Sequence, residues 1–335
     1  MPSAPTKTIT LHDVARAAGV SLITASRALG NPSVVSPATI ARVQAAVEAT
    51  GYIPNLLAGS LKSRRSRMVA AIVPALAVAQ FLPSLQTLTA GLAAGDYQLL
   101  LGETGYDPAR EEAVIDTMLS RQPEGIVFTG LVGAERSRER LRRAGLPVVE
   151  TWDFTTRPVD MLVGFSQQQV GSAVAGYFLS RGWQRVGVAT ADDQRAMQRH
   201  AGFEAAIGRR VPTAKVPAPS NLALGRRAMT DLLAQDPGLR AVACSSDQLA
   251  QGVLVEAQAR GLRVPEDIAI CGFGNADFSE HLLPSLSTVV VDGPGIGRRA
   301  ADMVLARCRG ETVASPVVDV GFRIVERQST GTAAA

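Results

Sequence analysis

Apolar positions follow two different rhythms along the 335-residue chain. Over the first fifty residues they recur at helical spacing. From Met68 onward, near-continuous apolar runs alternate with amphipathic stretches. In LHDVARAAG, Leu11, Val14, Ala15 and Ala18 share one helix face. Thr10 and Asp13 form the Thr-x-x-acid start pattern, and Gly19 supplies the stop. A second helix opens at Ser21, a cap preceded by Val20, and ends at Leu29-Gly30-Asn31-Pro32. A third opens at Ser36-Pro37, turns Ile40, Val43 and Val47 inward and stops at Gly51. Three short capped helices, the first two joined by a tight glycine turn, predict a helix-turn-helix unit. Pro54 breaks the third helix. NLLAGSL is too short to hold a helix alone in water, and SRRSR reads as a linker.

The second rhythm begins with the strand MVAAIVP and a helix around 82–95. Strand YQLLLGET, a helix at 108–121, strand GIVFTG, a helix at 134–144 and strand PVVETWD follow. The alternation continues through VDMLVGF, a helix at 166–181, RVGVAT, a helix at 195–208, a strand near 213–217, a helix at 224–235, AVACSS, a helix at 247–260, and DIAICGF. Such strands predict parallel sheets covered on both faces. About 260 residues exceed one comfortable domain, so two doubly wound lobes facing each other across a cleft are expected, with ligands at the carboxyl ends of the strands. The predicted division is a head at 1–54, a hinge helix and linker at 55–67, and a core at 68–330. Within the core, one lobe takes about 68–163 and 293–320, the other about 164–292 and 321–330.

Charge sharpens this division. Of a formal net +4, residues 1–67 carry about +6, from eight basic residues against two acids, which leaves about −2 elsewhere. A small basic head on a near-neutral body predicts a polyanion partner for the head alone. No apolar run reaches the roughly 18–20 residues of a membrane span, and MPSAPTKTIT has no apolar signal core, so a cytoplasmic protein without membrane contact is expected. Cys244, Cys271 and Cys308 have no zinc-type spacing and indicate neither disulfide nor metal. His12, His200 and His281 lack evident metal partners. GFGNAD at 272–277 and GPGIGRR at 293–299 both fail the G-x-G-x-x-G spacing of a dinucleotide site. With no nucleophile–base pair either, no enzyme and no cofactor is expected.

The stretch SLITASRAL, residues 21–29, is more apolar than a solvated helix face usually is. It suits a buried helix with one surface arginine. It equally suits a recognition helix, on which Ala25, Ala28 and Leu29 pack inward while Leu22, Ile23, Thr24, Ser26 and Arg27 face a major groove. The basic balance and the capped turn favour the second reading.

These residues carry a resemblance. The pattern T-x-x-DVA-x-x-AGVS-x-x-T-x-SR, then VS-x-x-T-x-x-RV, then GY-x-PN resembles the head of the lactose-repressor (LacI/GalR) family of transcription regulators. The body fits through RxxGF at 199–203, SSDQLAQG at 245–252, LRVPEDIAICGF at 262–273 and LPSLSTVVVD at 283–292. GYDPAREE, PVVETWD and VVDVGF look closest to the gluconate-repressor branch. The resemblance implies that Thr10, Ser21, Leu22, Ile23, Thr24, Ser26 and Arg27 read bases and phosphates, and that Ser36, Thr39, Tyr52 and Asn55 contact the DNA backbone. Leu61 matches a leucine wedged into the minor groove. A near-palindromic operator and a homodimer follow; a tetramer is left open, although RQSTGTAAA has no heptad pattern. Gly59 and Leu56 depart from the family pattern and make the hinge a poor helix without DNA.

For the cleft, the resemblance gives Arg199 the position that grips ligand oxygens, with a surface arginine as the alternative. Asp247 stands at a cleft position but equally at a helix cap. Asn275 replaces a frequent ligand-binding acid, which suits an acidic effector. Glu103, Glu150, Trp152 and Asp153 end strands of the other lobe, and Phe81 and Phe165 are expected as apolar walls. The expectation is a repressor controlled by a sugar or sugar acid. A soluble sugar-binding receptor with a basic appendage is the rival reading.

Overall fold

The computed structural model describes residues 9–52, 66–76 and 78–331, in two compact units, residues 1–66 and 67–335. Of the hinge helix and linker expected at 55–67, residues 55–65, with Asn55, Leu56, Gly59 and Leu61, lie outside the described residues.

The head unit holds α1 (Leu11–Ala17), α2 (Leu22–Gly30), a 3-10 turn at Pro32–Val34, and α3 (Pro37–Thr50). The Asp13 carboxylate accepts from both the Thr10 backbone N–H (3.0 Å) and the Thr10 hydroxyl (2.7 Å), which fixes the start of α1. At its end Gly19 takes φ +62°, and Val20 N–H donates to Ala15 C=O while Gly19 N–H donates to Arg16 C=O. That pair of bonds closes the helix and turns the chain directly into α2. Ser21 and Ser36 accept from Thr24 N–H and Thr39 N–H as the caps of α2 and α3. Val14, Ala18, Ala28, Val43 and Ala46 form the small core, with Leu29, Ile40 and Tyr52 against it.

The second unit contains two six-stranded sheets built on one plan. In the first lobe the strands are β1 (Met68–Val73), β2 (Gln98–Glu103), β3 (Gly125–Thr129), β4 (Val148–Thr151), β5 (Met161–Gly164) and β11 (Val317–Asp319). Their spatial order is β2-β1-β3-β4-β5-β11. In the second lobe β6 (Val186–Ala191), β7 (Thr213–Val216), β8 (Ala241–Cys244), β9 (Ala269–Phe273), β10 (Ser287–Val290) and β12 (Arg323–Val325) run β7-β6-β8-β9-β10-β12. Helices α4 (Leu82–Ala94), α5 (Pro108–Ser120), α6 (Glu135–Ala144) and α11 (Gly293–Cys308) accompany the first sheet. Helices α7 (Gln167–Ser180), α8 (Gln194–Ile207), α9 (Leu222–Gln235) and α10 (Asp247–Ala259) accompany the second. The chain crosses between lobes three times: after β5, after β10 and between β11 and β12.

One strand departs from the all-parallel expectation. β12 pairs with β10 in antiparallel register, Thr288 opposite Val325 and Val290 opposite Arg323. The cause is connectivity. β11 runs toward the cleft with its parallel neighbours, so the chain enters the second lobe from the cleft and must run away from it.

Candidate functional site

The outer face of α2 is the first site. Ala25 and Ala28 are buried, so Ser21, Leu22, Ser26 and Arg27 are exposed and Thr24 is half-buried. Ile23 is 64% and Leu22 37% exposed, among the described residues two large apolar side chains on a helix that otherwise packs well. The Ser21 and Thr24 hydroxyls lie 2.8 Å apart at the N-terminal turn. Thr10 and Ser36 are exposed, and Thr39 is half-buried. Tyr52 packs its ring on the head core, which leaves only part of it for any partner.

The second site is the cleft between the two sheets. A cavity of about 610 Å³ opens at the strand ends, lined by Pro74 after β1, Thr104 after β2, Gly130 after β3, Asp153 after β4 and Asp192 after β6. A smaller, more polar recess of about 40 Å³ shares Tyr106, Asp193 and Arg195 with it and adds Arg199, Ser220, Ser246 and Gln248. Both guanidiniums come from the first two turns of α8. Arg195 and Arg199 are one turn apart on the same face, and Asp193 caps the helix by accepting from Arg195 N–H and Ala196 N–H, both at 3.1 Å.

Arg195 belongs to the second lobe but reaches the first. Its Nη1 donates to Thr129 C=O at 3.3 Å, its guanidinium lies 4.9 Å from the Phe81 ring centroid, and its charge opposes the rise that burial gives the Tyr106 hydroxyl. Arg199 stacks 4.1 Å over the Phe273 ring, donates from Nη2 to Ser245 C=O at 2.9 Å, and donates from Nη1 to Gln167 Oε1. Its Nε is buried without a hydrogen-bond partner. Burial holds this guanidinium down to about 10, against the pull of Asp193, which still leaves it charged at neutral pH. Burial raises Asp153, opposed by the Phe154 N–H and by Arg195 and Arg199, and burial also raises Tyr106 and Glu111.

Two glycines let α8 sit where its arginines face the cleft. A Cβ on Gly202 would lie 2.0 Å from Gln168 O, and one on Gly171 would lie 1.8 Å from Arg199 O. The glycine of the R-x-x-G pattern is thus the close-approach point between α7 and α8 that brings Arg199 to the recess.

Several expected cleft residues do other work. Asp247 is only 1% exposed. Its carboxylate accepts from Ala276 N–H (2.7 Å), Ser279 Oγ (2.8 Å) and Thr288 Oγ1 (2.7 Å), so it is an internal clamp and not a ligand group. The cap of α10 is Ser246. Phe165 is fully buried between Trp152 and Phe273, with ring centroids at 6.0 and 6.2 Å, and Phe81 is buried beneath Arg195. Neither forms an open wall; they back the residues that do. Glu103 is exposed on edge strand β2, and its neighbour Thr104 lines the cavity instead. Asn275 accepts from Arg327 at 2.8 Å and lines a separate cavity of about 540 Å³ at the interlobe crossovers. Glu150 is fully buried and accepts from Val132 N–H (2.8 Å) and Val159 N–H (2.7 Å). Of the expected set, Asp153 and Arg199 face the cleft.

Tyr106, Asp193, Arg195 and Gln248 escape the sequence reading. For Arg195 a signal exists: a cation in the first turn of a helix opposes the helix dipole, so an arginine at 195 is misplaced for stability. Tyr106 adopts φ +62°, a backbone conformation no local pattern foretells.

Among the described residues no His/Cys/Asp/Glu group could hold a metal, and no helix is long and apolar enough to cross a membrane.

Comparison with known proteins gives the family of the chain. Residues 10–55 match the family of bacterial regulatory proteins, lacI family, and residues 175–330 match a periplasmic binding protein-like domain. The HTH-type transcriptional regulator GntR of Pseudomonas aeruginosa is 38% identical over 327 residues, covering 96% of this chain and 95% of that one. A LacI-family transcriptional regulator from Silicibacter pomeroyi superposes with a TM-score of 0.91 at 34% identity, over 96% of this chain and 99% of that one. The lac repressor dimer bound to operator and the anti-inducer ONPF superposes with a TM-score of 0.82 over 97% of this chain and 99% of that one, and at 20% identity shows the shared fold alone. With a helix-turn-helix head, a two-lobed core and a relative of this identity along nearly its whole length, the chain belongs to the LacI family of DNA-binding transcriptional regulators, which are not enzymes.

Proposed function

We propose that this regulator is a repressor that binds a near-palindromic operator as a homodimer, and that a gluconate-like sugar acid in the interlobe cleft sets its operator affinity. The observation that carries the effector class is the Arg195–Arg199 pair at the recess. A guanidinium binds a carboxylate through paired, charge-assisted hydrogen bonds, and Arg199 holds a buried Nε that no described protein group satisfies. Ser220, Ser246 and Gln248 add neutral partners for hydroxyls. On the head, Leu22, Ile23, Ser26 and Arg27 supply apolar, hydroxyl and guanidinium groups suited to a major groove, with Ser21, Thr24 and Thr10 at helix starts near phosphates. Ser36, Thr39 and Tyr52 are proposed for the DNA backbone. Asn55 and Leu61 keep that proposed role from the sequence. The dimer reading is supported by the dimeric lac repressor complex of the same fold.

The test has two arms. Calorimetric titration of the full chain with gluconate, other aldonates and neutral sugars should show binding of the acids only. Removal of residues 1–60 should abolish specific operator binding in a gel-shift assay and spare ligand binding. Operator binding by the truncated chain, or a neutral-sugar preference, refutes the corresponding half.

A further inference from the structure

The cleft is electrically lopsided, and this deepens the effector reading on which it rests. The recess carries Arg195 and Arg199 against the single carboxylate of Asp193, whereas the 610 Å³ cavity beyond it is lined by Asp107, Glu111, Asp153 and Asp192 as well as Asp193, against the single guanidinium of Arg195. Each of these acids accepts a backbone N–H through one oxygen: Ala109 N to Asp107 at 2.9 Å, Gly133 N to Glu111 at 3.1 Å, Phe154 N to Asp153 at 2.8 Å, and Ala218 N to Asp192 at 2.8 Å. Asp193 does so as the cap of α8. The carboxylates are thereby fixed in place, and each keeps a second oxygen as an acceptor.

We infer that the effector is a polyhydroxy monoanion, bound with its carboxylate at Arg195 and Arg199 and its hydroxyl tail along the acidic wall, and that a second anionic group at the tail is rejected. Hydroxyls donate to carboxylate oxygens, so the wall satisfies a polyol. A phosphate or carboxylate at the far end meets fixed like charge, and such repulsion is an efficient source of selectivity. Reversing the ligand does not help a dianion, because one charged end always faces the wall. The unpartnered Arg199 Nε marks the recess as the anion end.

The experiment is isothermal titration of the full chain with gluconate, 6-phosphogluconate, glucarate and glucitol in one buffer. Gluconate should bind at least tenfold more tightly than 6-phosphogluconate and glucarate. In the double variant Asp107→Asn/Asp192→Asn, whose amide oxygens can still accept Ala109 N–H and Ala218 N–H, that ratio should shrink threefold or more. Equal affinity for the dianions overturns the inference and leaves the sugar-acid reading standing. An unchanged ratio in the double variant also overturns it. Binding of glucitol alone, or of none of the four, defeats the sugar-acid reading and this inference with it.

Discussion

The Arg195 guanidinium lies 4.9 Å from the centroid of the Phe81 ring, and the two residues stand on opposite sides of the cleft. Arg195 starts a helix of the second lobe, Phe81 ends the 3-10 turn that leads into α4 of the first, and only 9% of the arginine is exposed. A cation held over an aromatic face away from water contributes about 1–2 kcal/mol. The pair therefore ties the two lobes together and fixes the direction of the Arg195 guanidinium. Phe81→Leu keeps apolar bulk and removes the ring; aldonate affinity is expected to fall several-fold. Arg195→Ala is expected to lower it tenfold or more. In the double variant the two losses should not add, because each removes the same interaction. Additive losses by calorimetry count against an interlobe role for the pair.

Gln167 connects Arg199 to the first lobe. It is buried at the first crossover, donates from Nε2 to Trp152 C=O at 2.7 Å and accepts from Arg199. Trp152 in turn donates from Nε1 to Ser84 Oγ at 3.0 Å, at the start of α4. Gln167→Met fills the same space without polar atoms and leaves the Trp152 carbonyl and an Arg199 N–H unpaired, at about 1–3 kcal/mol for each buried group. A lower melting temperature and weaker aldonate binding are expected together. Gln167→Glu separates the two effects. Its carboxylate still accepts from Arg199 but competes with an anionic ligand, so affinity should fall further than in the methionine variant. Affinity equal to the unaltered protein in both variants rules out this positioning role.

How far the sequence reaches is clearest from particular residues. Ser21, Ser36 and Gly19 announce their helix ends because caps and left-handed turns depend on local chemistry. The apolar strand runs announce two sheets for the same reason. The reversed β12 is not local: its direction follows from which lobe the chain has just left. Asp247 and Asp153 both follow sheet strands and look alike in sequence, yet one is turned inward onto Thr288 and Ser279 and the other faces the cavity. Position at a strand end names the candidates, but the rotamer that decides among them is set by partners far along the chain. Arg195 shows the opposite failure. Its misfit with the dipole of α8 is readable, but its partners Thr129, Phe81 and Tyr106 come from separate segments of the first lobe.

The buried carboxyls give the core a definite pH response. Asp247 is raised by burial, against hydrogen bonds from Thr288, Ala276 and Ser279 and the attraction of Arg327. Burial likewise raises Asp153, Glu150 and Glu111. An acid with a higher pKa folded than unfolded binds more protons in the fold, so stability falls as pH rises from about 4 through the folded value. Half-buried acids paired with arginine act oppositely. Arg260 and Arg226 lower Glu256, and Arg263 lowers Asp267, so their contribution is present above about pH 4 and lost only as pH falls through the lowered values. Above the ordinary carboxylate range the buried set governs, and the melting temperature should decline as pH rises through the raised values. Asp247→Asn lowers stability at every pH through weakened hydrogen bonds, but it should flatten that decline. A slope identical to the unaltered protein in thermal melts counts against Asp247 as a contributor.

On the head, the exposed face of α2 separates reading from folding. Ile23 and Arg27 are exposed and Ala25 and Ala28 are buried, so Arg27→Ala and Ile23→Ala should leave the head folded by circular dichroism. Loss of a side chain that touches a base edge costs about 1–3 kcal/mol, so operator affinity should drop roughly five- to 150-fold with little change in non-specific binding. Arg42→Ala provides the contrast. It removes an exposed cation from α3 without touching the reading face. Deleting a phosphate-pairing charge there should weaken all DNA binding and make its salt dependence about one charge shallower. Ser21→Ala removes the cap that accepts Thr24 N–H and should cost the helix about 1 kcal/mol, lowering both head stability and operator affinity. Gel shifts on operator and scrambled duplexes across a salt series distinguish the three outcomes. If Arg27→Ala and Arg42→Ala weaken operator and scrambled DNA equally, α2 does not read sequence.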